Sequence, residues 1–274
     1  MTCELCDATI IDQYEFSALL CGECLKIAVY RRRKILSIGA ALENESITPA
    51  TAMASFKRSA AEVEAANPEA WKTIQKWRGK KNLYIFGPMG TGKSYAARCL
   101  LNKFIGKKSL SEVTASDALK FGASFDEEDQ KTFRALQKVE LLLLDDLDKV
   151  SLTKPKVVAL WKLLNYRNAY NLRTIITANM PPVQLAEYLA KGAPENTKPV
   201  FAALDRIQPL TQVEFKGKSL RRTHQQKPLP AIYKTKGGES FCNDPHNCLQ
   251  KRVSEYVLER MRKAYGKRKN RRTA

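Results

Sequence analysis

A chain of 274 residues, of which 44% are apolar, is long enough for one or two domains with a buried core. No apolar run approaches the roughly 20 residues that cross a bilayer, and the acidic, cysteine-containing start MTCELCDATI is unlike a signal peptide. We therefore expect a cytoplasmic protein with no membrane partner. The formal net charge of +19 excludes a neutral surface and favours a polyanionic partner.

The first segment, residues 1–26, contains four cysteines in two identically spaced pairs. Cys3 and Cys6 form one Cys-x-x-Cys pair, and after fourteen residues Cys21 and Cys24 form the second. Each pair can hold one side of a tetrahedral ion, and a segment with so little apolar material needs such an ion in order to fold. The pattern predicts a zinc-binding module, with buried apolar cysteines or redox pairs as the alternatives.

The next segment, residues 27–78, is predicted to be helical. Leu25–Tyr30 and Ile35–Ile38 have helix-like apolar spacing, with the basic run Arg31–Lys34 between them. Thr48-Pro49 and Asn67-Pro68 each mark the start of a further helix, with asparagine as a cap and proline at the first helical position. We expect this segment to be a linker or a docking region for a partner.

Beyond residue 79, short apolar runs alternate with longer amphipathic ones. The runs predict strands at Leu83–Phe86, Val113–Ala115, Leu141–Leu144, Arg173–Ala178 and Thr211–Phe215, and helices at Lys93–Ile105, Asp126–Lys138, Pro155–Tyr170, Val183–Ala190 and Val200–Arg206. This alternation predicts an α/β fold with a mostly parallel sheet flanked by helices.

A glycine-rich segment carries the strongest chemical signal. Gly87-Pro-Met-Gly-Thr-Gly-Lys-Ser94 matches G-x-x-x-x-G-K-[ST] and lies between a predicted strand and a predicted helix, which is typical of a P-loop that binds ATP. The glycines let backbone N–H groups point at phosphate oxygens, and the helix N-terminus adds partial positive charge. We expect Lys93 to reach the β- and γ-phosphates and Ser94 to ligate Mg²⁺. The predicted nucleotide contacts are Gly87, Pro88, Met89, Gly90, Thr91, Gly92, Lys93, Ser94 and Tyr95.

Polar residues follow two of the predicted strands. Asp145-Asp146 ends the leucine strand, where two carboxylates would be unfavourable without a cation or a function nearby. Asp145 is the candidate magnesium ligand and Asp146 the candidate for polarising the attacking water. Asn179 follows the next strand, at the edge where open α/β sheets place ligands, although a turn or cap before Pro181-Pro182 would also explain it.

Basic residues gather in three runs. The first is Arg31–Lys34, residues 216–236 contain seven Lys or Arg and no acid, and the last 24 residues contain ten against two glutamates. Phosphate neutralisation makes nucleic acid the simplest partner, although charge alone does not separate DNA, RNA and anionic lipid. Residues 223–274 are expected to form a basic C-terminal extension.

Two histidines and two cysteines near the C-terminus could form a second metal site. Cys242, His246 and Cys248, with His224, have the right side chains, but their spacing matches no standard zinc pattern. Loop residues are therefore the favoured interpretation.

The P-loop, Asp145-Asp146 and Asn179 together resemble the AAA+ ATPases, and within them the bacterial helicase loaders DnaC and DnaI and the transposition ATPase IstB. The resemblance covers roughly Phe56 to Arg222 and implies an ATPase core over residues 79–222. In such proteins an asparagine after the third apolar strand senses the γ-phosphate, which matches Asn179.

The resemblance also implies two arginines that complete the site. Arg206 fits an arginine that reaches the nucleotide of a neighbouring subunit, which implies a ring or helical oligomer; a surface charge at a helix end is the alternative. Gly217-Lys-Ser-Leu-Arg221 is similar to the segment Gly-x-Ser-aromatic-Arg that carries a second sensor, but it has Leu220 in place of the aromatic residue.

Two other departures from most AAA+ ATPases are shared with the loader branch: Asp-Asp replaces Asp-Glu, and a helical lid is missing after the last strand. DnaI-type loaders carry a zinc region ahead of the ATPase, whereas IstB-type proteins generally do not. The leading hypothesis is therefore a protein that hydrolyses ATP to ADP and loads a replicative hexameric helicase onto single-stranded DNA. The alternatives are a transposition-type target-DNA ATPase and a nucleotide-gated DNA-binding adaptor. ATP, Mg²⁺ and Zn²⁺ are the expected cofactors.

Overall fold

The computed structural model describes residues 22–56, 61–191, 195 and 197–220. The chain divides into two units, and the larger, Ala41–Leu229, contains the whole sheet and the helices that pack on it. Of the other unit, Met1–Ala40 with Pro230–Ala274, the described part is residues 22–40, which belong to the first helix.

Five parallel strands form one sheet in the order β2-β3-β4-β1-β5. The strands are β1 (Asn82–Phe86), β2 (Leu110–Thr114), β3 (Leu141–Asp145), β4 (Arg173–Ala178) and β5 (Leu210–Glu214). Because all of them run the same way, the residues that follow the strands meet at one edge of the sheet, which we call the carboxyl edge. The residues that precede them meet at the opposite, amino edge.

Helices cover both faces of this sheet. The helices in the described residues are α1 (Gly22–Glu43), α2 (Pro49–Met53), α3 (Ala61–Ala66), α4 (Pro68–Lys76), α5 (Lys93–Phe104), α6 (Ala115–Ala123), α7 (Glu127–Lys138), α8 (Lys154–Ala169), α9 (Pro182–Lys191) and α10 (Thr197–Asp205), with a 3-10 turn at Leu147–Lys149. One face packs Tyr84, Leu142 and Ile176 against α6 to α10. Because side chains alternate along a strand, Leu83 and Leu143 point to the other face, where α5 lies. This confirms the predicted parallel sheet flanked by helices.

Local chemistry explains where several helices begin. The Thr48 hydroxyl accepts from the Thr51 N–H at 3.3 Å, and the Asp126 carboxylate accepts from two N–H groups at the start of α7. Asn67 stands at the predicted cap position of α4, but its side chain makes no capping hydrogen bond. Its amide oxygen accepts instead from the Lys216 N–H at 2.6 Å, so it joins α4 to the segment after β5.

One prediction about element bounds was wrong. The strand expected at Val113–Ala115 runs from Leu110 to Thr114, because Thr114 caps α6 and Ala115 is already helical. The helical region expected around Arg31–Lys34 is confirmed as one continuous helix, α1. Arginine and lysine are good helix formers, so the basic run does not interrupt it.

A buried arginine joins three elements at the amino edge. Arg167 of α8 is 1% exposed. Its guanidinium donates to the carbonyls of Leu136, Val139 and Arg173 at 2.9, 2.8 and 2.6 Å, and to the Thr174 hydroxyl at 2.9 Å. Burial lowers the pKa of Arg167 to about 9. The side chain therefore ties the end of α7 and the start of β4 to α8.

Candidate functional site

A cleft of about 490 Å³ opens at the carboxyl edge of the sheet. The loop between β1 and α5 forms one wall, and Asp146, Lys149 and Asn179, which follow β3 and β4, form another. Val63 of α3 and Leu220 also line it. The cleft is therefore lined by most of the P-loop residues that the sequence pattern assigns to nucleotide binding, together with Asp146 and Asn179.

Two glycines in the P-loop leave no room for a side chain in the present backbone. Gly87 has φ +137°, and a Cβ there would lie 1.9 Å from the Phe215 carbonyl oxygen. Gly92 has φ +98°, and a Cβ there would lie 2.7 Å from Val63 Cγ1. The loop is thus closely packed against the residue after β5 and against α3, while its inner side stays open to the cleft.

Lys93, the P-loop lysine, is 5% exposed at the base of the cleft. Its Nζ donates to the Pro88 carbonyl at 2.8 Å and to Asn179 Oδ1 at 3.0 Å. Burial lowers the pKa of Lys93, and the carboxylates of Asp146 and Asp148 act against this shift. The ammonium group is therefore held between the P-loop and the end of β4.

Ser94 and Asp145, the predicted magnesium pair, are in direct contact. Ser94 Oγ donates to Asp145 Oδ1 at 2.8 Å, and Thr177 Oγ1 donates to the same carboxylate oxygen. Arg98 NH2 lies 3.6 Å from Asp145 Oδ2. A hydroxyl and a carboxylate side by side are hard oxygen donors of the kind that Mg²⁺ prefers, so these residues fit that ion.

Asp146, the predicted water-polarising residue, lines the cleft with its carboxylate bound to a lysine. Its backbone has φ +59°, in the left-handed region, and its N–H donates to the Thr177 hydroxyl at 2.9 Å. Lys149 Nζ lies 2.5 Å from Asp146 Oδ2. The carboxylate is therefore in the cleft and is neutralised there by a neighbour that the sequence analysis did not single out.

Asp148 is a second residue that the sequence analysis missed. It is 7% exposed and accepts two hydrogen bonds from Asn179, from the backbone N–H at 3.1 Å and from Nδ2 at 2.6 Å. A carboxylate only accepts and an ammonium only donates. Asn179 must therefore turn its nitrogen to Asp148 and its oxygen to Lys93.

A third missed contact lies on the other side of the cleft. Arg98 of α5 lines the cleft, and its Nε lies 2.7 Å from Glu112 Oε1 on β2. Glu112 also accepts from the Thr48 N–H at 3.2 Å and from the hydroxyls of Thr48 and Thr51. Although burial opposes it, hydrogen bonds from Thr51 and Arg98 hold the pKa of Glu112 below its usual range. Glu112 therefore connects α2 to an arginine beside Asp145.

The remaining predicted P-loop contacts occupy different positions. Met89 is 59% exposed at the rim, whereas Thr91 is buried and its hydroxyl donates to the Pro88 carbonyl at 2.9 Å. Tyr95 lines the cleft, stacks on Trp71 with ring centroids 6.3 Å apart, and donates to the Ser55 carbonyl at 3.2 Å. Its ring therefore ties the helical segment before β1 to the nucleotide site.

Arg206 does not join the cleft of its own chain. Its Nε donates to Asn165 Oδ1 on α8 at 3.2 Å, and the following residue, Ile207, accepts from the Asn82 side chain at 2.6 Å. Asn82 begins β1, so Arg206 lies at the amino edge. Strands of five residues separate the two edges by roughly 16 Å at about 3.3 Å per residue.

Several predicted residues lie outside the described part of the chain. These are Arg221, Cys3, Cys6, Cys21, Cys242, His246, Cys248 and His224. Cys24 is in the first turn of α1. In residues 22–56, 61–191, 195 and 197–220, no group of three or more His, Cys, Asp or Glu is arranged to hold a metal. The zinc sites therefore stay predictions.

Comparison with known proteins agrees with this geometry. Residues 83–190 match the family model for the ATPase family associated with various cellular activities (AAA). With the P-loop and the parallel sheet, this match indicates that the described core is similar to the ATPase domains of that family. None of the helices within the described ranges is long and apolar enough to cross a membrane.

Similar solved structures include DnaI, the DnaC helicase loader and DnaA. A DnaI structure shares 24% identity over 62% of this chain and 95% of its own, with a TM-score of 0.48. The DnaC helicase loader shares 20% identity over 55% of this chain and 98% of its own, with a TM-score of 0.41. DnaA from Aquifex aeolicus with bound AMPPCP shares 18% identity over 59% of this chain and 52% of its own, with a TM-score of 0.44. No curated protein matches the sequence.

Proposed function

We propose that this chain binds ATP with Mg²⁺ and hydrolyses it to ADP. The observation that carries the proposal is the convergence of two pairs in one cleft, Ser94 with Asp145 at 2.8 Å and Lys93 with Asn179 at 3.0 Å. Each pair joins the P-loop to the end of a different strand, as a site for a metal-bound triphosphate requires.

Each side chain has a distinct part in this reaction. Bound Mg²⁺ would neutralise charge on the β- and γ-phosphates, and Ser94 and Asp145 are the residues that hold it. Lys93 donates to the phosphates once ATP displaces its internal acceptors. Asp146 orients the attacking water, and Asn179 positions the γ-phosphate through its amide.

Arg206 completes the site of a neighbouring subunit in this proposal. A guanidinium at the amino edge cannot reach the phosphates at the carboxyl edge of its own chain, but it can reach those of another copy. Charge supplied in this way is worth on the order of 10³ or more in rate. We therefore propose a ring or helical oligomer in which an isolated subunit hydrolyses ATP slowly.

For its biological role, we propose that the protein loads a replicative hexameric helicase onto single-stranded DNA. The resemblance in sequence and the basic runs support this role. Phe125, between α6 and α7, is fully exposed, and an aromatic ring in that position can stack on an unpaired base. A transposition-type target-DNA ATPase and a nucleotide-gated adaptor are the competing roles.

Turnover of ATP tests the enzymatic part. Wild-type protein, Lys93→Ala and Asp146→Asn are compared for binding of a fluorescent ATP analogue and for phosphate release, with and without saturating single-stranded DNA. We expect Lys93→Ala to lose binding, and Asp146→Asn to keep binding and lose hydrolysis. Wild-type turnover no higher than that of Lys93→Ala would instead assign the chain to the adaptor class.

A capture experiment separates the two ATPase roles. Asp146→Asn protein with ATP is mixed with a purified hexameric helicase, a purified transposase, or both, and the complexes are resolved by size. Retention of the helicase supports the loader. Retention of the transposase alone, together with a preference for duplex DNA, would overturn it in favour of the transposition-type ATPase.

A further inference from the structure

A long internal stretch of the described core contains no acidic residue. Between Glu69 and Glu112 there are ten Lys or Arg and no Asp or Glu. Lys93 and Arg98 belong to the nucleotide site. Most of the others gather where α4 and α5 end, and we call this group the basic patch: Lys76, Arg78, Lys80, Lys81, Lys103, Lys107 and Lys108.

The ends of the two helices form one surface. Lys103 Nζ donates to the Gln75 carbonyl at 2.6 Å, and the rings of Trp77 and Phe104 meet edge to face with centroids 5.7 Å apart. Beyond these contacts the chain enters the two loops that precede β1 and β2. The basic patch therefore lies at the amino edge, and α5, about 18 Å long at 1.5 Å per residue, separates it from the P-loop.

The cations of the basic patch are close enough to repel one another. Burial lowers the pKa of Lys103, and the charges of Arg78 and Lys107 lower it further. Lys76 and Lys103 lie in the last turns of α4 and α5, where the helix dipole stabilises a cation. Lys108 Nζ lies 3.6 Å from Glu140 Oε1, but the cations of the basic patch outnumber this one carboxylate, so the cluster attracts an external anion.

The types of side chain exposed on the basic patch indicate which kind of anion it binds. The large apolar side chains exposed in the described ranges, such as Met89, Phe125, Val158 and Trp161, lie outside residues 70–82 and 100–111. A membrane-binding surface inserts apolar groups, and a single-strand site stacks bases on aromatic rings. A surface whose exposed charged groups are mainly lysine and arginine contacts backbone phosphates.

We propose that the basic patch binds the phosphate backbone of duplex DNA. The basic patch is a second DNA contact, on the amino edge away from the nucleotide cleft, and it binds without base specificity. The inference rests on the proposed action on DNA only for its choice of polyanion; it requires neither ATP hydrolysis nor a helicase. The protein would hold a duplex at this edge while a single strand is engaged elsewhere.

The test removes the exposed cations of the basic patch from the full-length chain. The patch variant carries Arg78→Ala, Lys80→Ala, Lys81→Ala and Lys107→Ala, and its affinity for a 25-base-pair duplex is measured without nucleotide from low to moderate salt. We expect the affinity to fall about ten-fold or more near ~100 mM salt. The slope of log K against log[salt] should become shallower by about 3 to 4, since each phosphate contact contributes ~0.9.

A matched control removes the same charge elsewhere. The control variant carries alanine at four exposed lysines of other helices: Lys131, Lys154, Lys162 and Lys191. We expect it to bind duplex with the wild-type salt slope. Equal losses in the two variants would reduce the effect to net charge and overturn the proposal, and so would an unchanged slope in the patch variant.

Two further measurements keep the result independent of the proposed ATPase. Duplex should protect amides of residues 78–81 and 105–109 from hydrogen exchange in wild-type protein, and absence of protection there contradicts the proposal. Vesicles with anionic lipid are titrated in parallel; if the patch variant loses vesicle binding but keeps duplex binding, the surface is a membrane site and the proposal is wrong. Basal ATP turnover of the patch variant without DNA should match wild type.

Discussion

Asp148 holds Asn179 by two hydrogen bonds, one to the backbone N–H at 3.1 Å and one to the side-chain amide at 2.6 Å. The pair fixes the amide so that its oxygen faces Lys93. Asp148 touches no phosphate position itself, so it acts by positioning another residue.

Replacing Asp148 by alanine should therefore slow hydrolysis without preventing nucleotide binding. We expect kcat to fall about 10- to 100-fold, as is typical when a supporting residue is removed from a site, with little change in the Kd for a fluorescent ATP analogue. Asp148→Asn, which keeps one acceptor, should be intermediate. Equal rates in all three proteins would contradict the positioning role.

Lys149 is expected to restrain Asp146. The Lys149 ammonium forms an ion pair with the Asp146 carboxylate at 2.5 Å. Lys149→Met should therefore free Asp146 and raise the basal rate of ATP turnover about two- to five-fold, which corresponds to the free energy of one partly exposed ion pair. Steady-state phosphate release measures this. A fall in rate would instead assign Lys149 to phosphate binding.

Arg206 and Lys93 should complement each other between subunits. Arg206→Ala retains an intact cleft, and Lys93→Ala retains an intact Arg206, so each alone should be nearly inactive. Mixing them should restore turnover, since some interfaces then combine a working cleft with a working arginine. No recovery at any mixing ratio would contradict action on a neighbouring subunit. Asp146→Asn mixed with Lys93→Ala is the control that should stay inactive, because neither protein has a working cleft.

Arg167 should be important for stability. Arg167→Met leaves the carbonyls of Leu136, Val139 and Arg173 without their donor, which should cost about 3 to 5 kcal/mol of unfolding free energy. Urea unfolding measures the change. Arg167→Lys should recover part of it, because an ammonium has three donors; a cost below about 1 kcal/mol for the methionine variant would show that other groups satisfy the carbonyls.

Glu112 should make part of the stability depend on pH. Its folded-state pKa lies below the unfolded value, so its contribution is fully present above the unfolded value near 4.5 and is lost as the pH falls through the folded pKa. Wild-type Tm should therefore decline more steeply than that of Glu112→Gln between about pH 5 and about pH 3. If the Tm of the two proteins declined in parallel with falling pH, Glu112 would not be a source of the pH dependence of stability.

The sheet and the P-loop could be predicted because their signals are local. The run Leu141–Leu144 is buried on both faces and has no polar position. The P-loop residues Gly87–Ser94 are consecutive in the sequence, so their pattern can be recognised without knowledge of the fold. Asp145 and Asn179 could be placed at the carboxyl edge because Asp145 ends one strand, Asn179 directly follows another, and the alternation of strands and helices already indicates the direction of both strands.

The missed residues depend on contacts between distant segments. Asp148 lies on a short turn after β3, and its role appears only when that turn is placed beside the end of β4. Glu112 stands in the middle of β2, and its partners come from α2 and α5. Pairings such as Thr48 with Glu112 join residues 64 positions apart, and no periodicity in the sequence indicates them.

The basic patch was missed for a related reason. Its residues are separated by glycine, aromatic residues and the whole P-loop, so no window contains a run of charges comparable to Arg31–Lys34. The informative signal is the absence of Asp and Glu between Glu69 and Glu112, which becomes visible when acids and bases are counted separately.

The position of Arg206 at the amino edge, away from its own cleft, also bears on how copies can associate. In a two-fold dimer the contact would be reciprocal, each Arg206 reaching the other copy's cleft, and the dimer would be closed. In the helical oligomer proposed above, the surface that carries Arg206 instead meets the cleft of the next copy, which is head-to-tail association. Such an assembly has a direction: one end presents an unfilled cleft and the other an unused arginine, so subunits add at two chemically different ends.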